Sequence, residues 1–115
     1  MICQEYLKDD FVKSFSAAFQ ARRPKTFENG AEVKAAVFPV AVWPNFLEAQ
    51  AVSALKSELS SMKFSLKSSD LYEFHQTTDL KHVDPSKNPF IAQICKELYS
   101  EPFLNVMQRI TGRKL

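Results

Sequence analysis

The chain has 115 residues, of which 45% are apolar and 24% are charged, and its formal net charge is +2. This length suits one small domain that buries roughly two-thirds of its unfolded-chain surface, and so small a net charge gives no strong field for nucleic acid or an anionic membrane. Membrane spanning and P-loop chemistry are not expected, because no apolar run approaches the ~20 residues that cross a bilayer and the chain has only 2 glycines.

The first predicted element is an amphipathic helix near the N-terminus. Its apolar residues recur every three or four positions, on one helix face: Leu7, Phe11, Phe15, Ala18 and Phe19. The helix should end before Arg23-Pro24, because the residue before a proline disfavours helical backbone. Asn29-Gly30 then predicts a turn. The valine-rich segment that follows predicts a short strand at residues 40–43, which Pro39 makes an edge strand or a broken one.

A second amphipathic helix is predicted after Asn45, which can cap it, with Glu48 three residues later as in a capping box. Its buried stripe is expected to consist of Val52, Leu55, Leu59 and Met62. Two short strands are predicted next, at residues 63–66 and 71–76. The turn at residues 67–70 between them allows a hairpin.

Two further helices complete the pattern. Asn88 and Pro89 suit the N-cap and first position of one helix, and Ser100 and Gly112 suit the start and the end of the next. The inner faces are expected to consist of Ile91, Ile94, Cys95 and Leu98, and of Phe103, Leu104, Met107 and Ile110. The pattern predicts an α+β fold. Two or three short strands cannot cover four apolar helix faces, so the fold looks unfinished; the alternative is a compact α+β domain of its own.

Residues 38–81 are similar to the start of the catalytic domain of the ribosomal-protein prolyl 3-hydroxylases, the Fe(II)- and 2-oxoglutarate-dependent oxygenases of the OGFOD and Tpa type. Three motifs carry the resemblance: PNFL at residues 44–47, the Leu-x-x-Glu-Leu rhythm at residues 55–59, and DLYEFHQTTDLK at residues 70–81. The upstream helix with ARRPKTF also resembles the N-terminal extension of that family. The two helices after Pro89 match the family in placement.

The resemblance implies an N-terminal extension at residues 1–36 and, at residues 37–115, the start of a double-stranded β-helix (jelly-roll) oxygenase domain, truncated before its iron-binding core. It implies a peptidyl-proline 3-dioxygenase that acts on a small-subunit ribosomal protein with Fe(II), 2-oxoglutarate, O2 and ascorbate. In that family the iron ligands, a His-x-Asp pair and a distant His, and the Arg that binds 2-oxoglutarate lie downstream of the matched region. The chain alone is therefore expected to be inactive, to hold none of these cofactors and to contain no catalytic residue.

The expected partners follow from the same resemblance. They are the ribosomal protein substrate and the missing C-terminal part of the enzyme, with no membrane and no direct nucleic-acid contact. No apolar signal segment precedes Cys3 and Cys95, so an intracellular chain, cytoplasmic or nuclear, with two reduced thiols is expected. Cys95 on its helix stripe is expected to be a buried, inert thiol.

His82 and Asp84 form a His-x-Asp triplet, the arrangement in which many non-haem iron enzymes present two metal ligands. They directly follow TTDLK, where the family has a charged linker. The other histidine, His75, lies upstream inside a predicted strand. Asp84 precedes Pro85, which favours an Asx-Pro turn leading to the helix cap at Asn88. We therefore predict no metal site at this pair.

Tyr72, Phe74, Gln76 and Asp79 belong to the stretch that carries the resemblance. In a complete enzyme they would border the substrate side of the pocket, whereas alternating aromatic side chains on a strand more often belong to a core. The alternative to the family interpretation is that the chain is a non-enzymatic α+β protein-interaction module. The aromatic face of LYEFHQ would then bind a partner protein.

Overall fold

The computed structural model describes residues 1–77 and 79–115, and these form an α+β chain with two small antiparallel sheets. The helices of this described part are α1 Asp9–Gln20, α2 Ala49–Ser61, α3 Pro89–Leu98 and α4 Glu101–Thr111. Its strands are β1 Lys25–Thr26, β2 Glu32–Ala35, β3 Pro39–Val42, β4 Ser65–Ser68 and β5 Glu73–Gln76. Short 3-10 helices lie at Gln4–Leu7 and Leu80–His82. The predicted α+β class is confirmed.

The first sheet has the order β1-β2-β3, with antiparallel neighbours. The predicted turn at Asn29-Gly30 joins β1 to β2: the Asn29 side chain accepts a hydrogen bond from Ala31 N at 3.0 Å, and Gly30 has a φ of 86°. The valine-rich segment is broken into two strands, as one of the two interpretations of Pro39 allowed. The predicted boundary at residue 36 falls in the turn between β2 and β3, so this sheet draws residues from both sides of it.

The core lies where α1 packs against α4 and the first sheet. Its buried residues are Tyr6, Val12, Phe15, Ala18, Ala31, Val33, Val106 and Ile110. Aromatic rings fill it: the Phe15 centroid lies 5.3 Å from that of Phe27, 5.4 Å from that of Trp43 and 5.5 Å from that of Phe11. The predicted inner face of α1 is confirmed at Phe15 and Ala18.

Tyr6 connects the N-terminal 3-10 helix to this core. Its ring stacks on Trp43 with centroids 5.0 Å apart, and its hydroxyl donates a hydrogen bond to Pro44 O. Burial raises the pKa of the Tyr6 phenol, and the neighbouring Cys3 and Glu5 act in the same direction. The phenol is therefore held in its neutral, hydrogen-bond-donating form.

The predicted start of α2 is wrong. Asn45 adopts a φ of 53°, and α2 begins at Ala49 after Glu48, whose side chain makes no capping hydrogen bond. Residues 46–48 are extended instead, because they pair with the N-terminal segment: Cys3 N donates to Phe46 O at 2.7 Å and Glu48 N donates to Met1 O at 2.9 Å. This long-range pairing delays the helix by one turn.

The predicted buried stripe of α2 is also wrong. Ala51 is the buried residue of this helix, Val52, Leu55 and Met62 are half-buried, and Leu59 is exposed. The helix packs mainly against α3, and Leu59 on its apolar face is left exposed. Leu98 of α3 and Leu104 of α4, both predicted to be inside, are exposed as well.

The starts and ends of α3 and α4 were predicted better. α3 begins at Pro89, and α4 begins after Ser100, whose hydroxyl accepts from Phe103 N at 3.5 Å. Gly112 ends α4 with a φ of 68°, as a left-handed C-cap. Both caps of α4 are therefore formed by residues next to the helix: the Ser100 side chain at its start and the Gly112 backbone at its end.

Glu97 of α3 holds the N-terminal segment. Its carboxylate accepts from Ile2 N at 3.0 Å and lies 3.3 Å from the Met1 ammonium. Burial acts to raise the pKa of Glu97, but these hydrogen bonds and the positive charge outweigh it and lower the pKa. The carboxylate is therefore more stable ionised in the folded chain than in the unfolded chain.

A pH-dependent contribution to stability follows from this lowered pKa. Ionised Glu97 stabilises the fold at pH values above its ordinary pKa of 4.5, and the contribution is lost as the pH falls through the lower folded-state pKa. We expect Glu97→Gln to melt at a lower temperature than the native chain near neutral pH, with the difference closing in acid. Thermal melts across this pH range measure it. A difference that is the same at every pH would contradict the assignment.

Candidate functional site

The second sheet is a hairpin of β4 and β5, paired antiparallel with Leu66 opposite His75 and Lys67 opposite Phe74. The turn is closed by Ser69, whose N donates to Tyr72 O at 2.8 Å. The predicted strand pair is confirmed, with the turn about two residues later than expected. Every residue of both strands is exposed. A two-stranded sheet whose residues are all exposed is only marginally stable by itself in water.

Tyr72 and Phe74 form an aromatic pair on this hairpin. Their ring centroids lie 5.5 Å apart with an interplanar angle of 28°, and the residues are 61% and 37% exposed. Both rings are exposed in the described chain, and their assignment to a core or to the substrate side of a pocket stays a prediction. Gln76 lies on the same face of β5, two residues along, and is also exposed.

Asp79 lies beyond the hairpin and has a local structural role. Its carboxylate accepts from Lys81 N at 3.1 Å at the start of the 3-10 helix, and the Lys81 ammonium lies 3.5 Å away. The backbone hydrogen bond from Lys81 lowers the pKa of Asp79, and the Lys81 charge assists. Thr78, which also belongs to the stretch similar to the hydroxylases, lies outside the described residues.

His82 and Asp84 follow in the turn before α3. The Asp84 carboxylate accepts from Ser86 N at 2.9 Å and from Ser86 Oγ at 2.8 Å, which confirms the predicted Asx turn. These hydrogen bonds from Ser86 lower the pKa of Asp84. Residues 1–77 and 79–115 contain no group of three or more His, Cys, Asp or Glu side chains suited to a metal ion. That His82 and Asp84 hold no metal stays a prediction.

Glu58 joins α2 to α3, a role that the sequence pattern did not reveal. Its two carboxylate oxygens accept from Phe90 N and Ile91 N, each at 2.8 Å, in the first turn of α3. Asn88 occupies the N-cap position but makes no side-chain capping hydrogen bond, so Glu58 caps this helix from a neighbouring one. The negative carboxylate also suits the positive end of the helix dipole.

Many apolar side chains between α2 and the end of α3 are exposed. They are Leu59, Phe64, Leu66, Leu71, Tyr72, Phe74, Phe90, Leu98 and Tyr99. Cys95 lies in a cleft of about 290 Å³, half-buried rather than buried, with Sγ 3.9 Å from Leu80 O. Exposed apolar side chains in this number favour a surface that another chain or segment covers.

The comparisons with known proteins add no relative: no protein-family model matches the sequence, and no curated protein matches it. Among the described residues, no helix has the length and apolar character required to cross a membrane.

Proposed function

We propose that the chain is the N-terminal part of a peptidyl-proline 3-dioxygenase that acts on a small-subunit ribosomal protein. The observation that supports this most is the bare hairpin: β4 and β5 pair only with each other in the described chain, and none of their residues is buried. A double-stranded β-helix would extend such a hairpin into a larger sheet. The exposed apolar faces of α2 and α3 would then pack on that sheet.

In this proposal the hairpin contributes to the substrate side of the pocket. Tyr72 and Phe74 would present their stacked rings to the peptide, with Gln76 on the same face and Asp79 at the turn beyond. Stacked aromatic rings suit a proline-containing peptide, whose ring is apolar and already restricted in conformation. Asp79 would position the turn through its hydrogen bond from Lys81.

The oxidative chemistry would be supplied by Fe(II), 2-oxoglutarate and O2, with ascorbate keeping the iron reduced. By the resemblance, the iron ligands and the Arg for 2-oxoglutarate would lie in further sequence of the same enzyme. The partners of this chain would be that further part and the ribosomal protein, in the cytoplasm or nucleus.

A second candidate is a non-enzymatic protein-interaction module, and the exposure of the hairpin favours it as well. Leu71 at the hairpin turn is 90% exposed, and both outer strand edges have unpaired backbone groups in the described chain. An extended segment of a partner protein would add a strand to either edge, with its side chains on the aromatic pair.

We expect no turnover of 2-oxoglutarate by the 115-residue protein supplied with Fe(II), ascorbate and O2. Succinate release should equal that of a control without protein, and neither His82→Ala nor Asp84→Ala should change it. His82→Ala should also leave the melting temperature unchanged. Succinate above the control that is abolished by either substitution would contradict the assignment, because it would place the iron at His82 and Asp84.

The coding transcript separates the two candidates. A reading frame that continues beyond Leu115 to a His-x-Asp pair and a distal His supports the enzyme. The extended protein should then release succinate, and hydrogen exchange at the amides of β4 and β5 should slow relative to the 115-residue chain. A stop codon directly after Leu115 contradicts the enzyme and supports the interaction module.

A further inference from the structure

A cleft of about 560 Å³ lies where the ends of α1 and α4 meet. Arg22 lines it from the segment after α1, and Arg113 lines it from the segment after α4, so residues 91 positions apart face one space. The two helix ends are fixed together: the Gln20 amide donates to Arg109 O at 2.7 Å. Gly112 approaches the Gln20 side chain so closely that an added Cβ would lie 3.2 Å from it.

The charge around this cleft is unbalanced. Arg22, Arg23, Arg113 and Lys114 are all exposed, and none has an ion-pair partner among the residues that the structure describes. Arg109, by contrast, pairs with Asp9 at 2.7 Å. Arg22 and Arg113 line the cleft, and Arg23 and Lys114 adjoin them in the sequence. The low net charge hides this concentration, since acidic residues elsewhere cancel it.

An exposed aromatic residue directly precedes one of the residues that line the cleft. Pro39 lines the cleft, and Phe38 directly before it is 66% exposed at the turn between β2 and β3. Proteins that bind single-stranded nucleic acid combine a basic groove for the backbone with aromatic rings on which bases stack. The guanidinium groups of arginine suit phosphate, because they present paired N–H donors to its oxygens.

We propose that this basic cleft binds single-stranded nucleic acid, with Arg22 and Arg113 on phosphates and a base stacked on Phe38. The site is distinct from the hairpin and does not depend on the function proposed for it. Cations near helix C-termini also stabilise the helix dipole, and an acidic peptide would match the charge. A role in the helix dipole alone predicts no binding of an oligonucleotide, and an acidic partner predicts equally tight binding of polyglutamate.

The test measures fluorescence anisotropy of a labelled oligouridylate of ~10 nucleotides, a length within the site sizes of such proteins, at several salt concentrations. The main variant is Arg22→Asn with Arg113→Gln, in which asparagine suits the left-handed φ of 53° at residue 22. The matched control, Lys13→Gln with Lys56→Gln, removes the same charge from exposed positions on α1 and α2. Phe38→Ala tests the stacking separately from the charge.

We expect the Arg22/Arg113 variant to bind at least tenfold more weakly at low salt. Its slope of log affinity against log salt should be shallower by about 1.4, since each phosphate contact on a single strand contributes ~0.7. The control pair should change the affinity less than twofold, and its slope of log affinity against log salt should equal that of the native chain. Phe38→Ala should weaken binding about fivefold or more with the slope unchanged, because stacking releases no counterions.

Three outcomes would overturn the proposal. One is no binding by the native chain at about 50 mM salt, where phosphate contacts are strong. Another is an equal loss of affinity in the control pair, which would indicate non-specific attraction. The third is equally tight binding of a polyglutamate of the same length with no effect of Phe38→Ala, which would indicate an acidic protein partner. Thermal melts check that each variant is folded, and Arg113→Gln alone, beyond the end of α4, replaces the double variant if that one is unfolded.

Discussion

Phe15→Ala is expected to lower the free energy of unfolding by about 3–5 kcal/mol, the range for removing a buried aromatic ring. Phe15 is fully buried, and its ring lies among those of Phe11, Phe27 and Trp43. The rings come from α1 and from the residues that directly follow β1 and β3, so the surrounding side chains cannot collapse into the cavity without moving α1 relative to the first sheet. Trp43 is the sole tryptophan, so its fluorescence during urea unfolding reports on this core directly.

The control is the same substitution at an exposed phenylalanine. Phe38→Ala removes an identical ring that is 66% exposed, and it should change the free energy of unfolding by less than about 0.5 kcal/mol. If Phe15→Ala is too unstable to fold, Phe15→Leu keeps most of the volume and should cost ~1 kcal/mol. Equal effects of the alanine variants at residues 15 and 38 would show that the aromatic cluster is not the core.

The buried faces of α1 and α4 were predicted best, and the buried face of α2 was predicted worst. The apolar periodicity of α1 and α4 predicted faces that do meet in the core, at Phe15 and Ile110. α2 is less amphipathic than α1 and α4, and on it Leu59 is exposed and Leu55 only half-buried. Periodicity identifies the apolar side of a helix, but whether that side is covered depends on elements distant in sequence. An apolar face without a cover is also the feature on which the proposed function rests.

Hydrogen bonds between residues close in sequence could be predicted, whereas those between distant residues could not. The Asx turn of Asp84 was predictable, because its partner Ser86 is two residues away. The capping role of Asn45 was wrongly predicted, because the pairing of residues 46–48 with the N-terminal segment is set from more than 40 residues away. The convergence of Arg22 and Arg113 could not be predicted either, since it requires the packing of α1 on α4.

Glu58 is a hydrogen-bond acceptor that no local pattern indicates, since its partners in α3 are 32 and 33 residues away. Its Leu-x-x-Glu-Leu context predicts only a polar position on α2. The two amides that it accepts from, Phe90 N and Ile91 N, belong to the first turn of α3 and have no partner within that helix. The carboxylate therefore fixes the start of α3 against α2, where the two helices pack on each other.

Glu58→Ala is expected to cost about 0.5–2 kcal/mol, as the loss of a helix N-cap does. The effect should be local: hydrogen exchange at Phe90 and Ile91 should accelerate, while amides in α1 keep their protection. The free-energy cost of Glu58→Gln should lie between zero and that of Glu58→Ala, because the glutamine amide keeps one accepting oxygen where the carboxylate has two. Glu28→Ala, at an exposed glutamate in the loop before β2, is the matched control and should leave exchange in α3 unchanged. Unchanged exchange at Phe90 and Ile91 in Glu58→Ala would mean that another group caps α3. The packing of α2 against α3 would then depend on contacts other than the Glu58 hydrogen bonds.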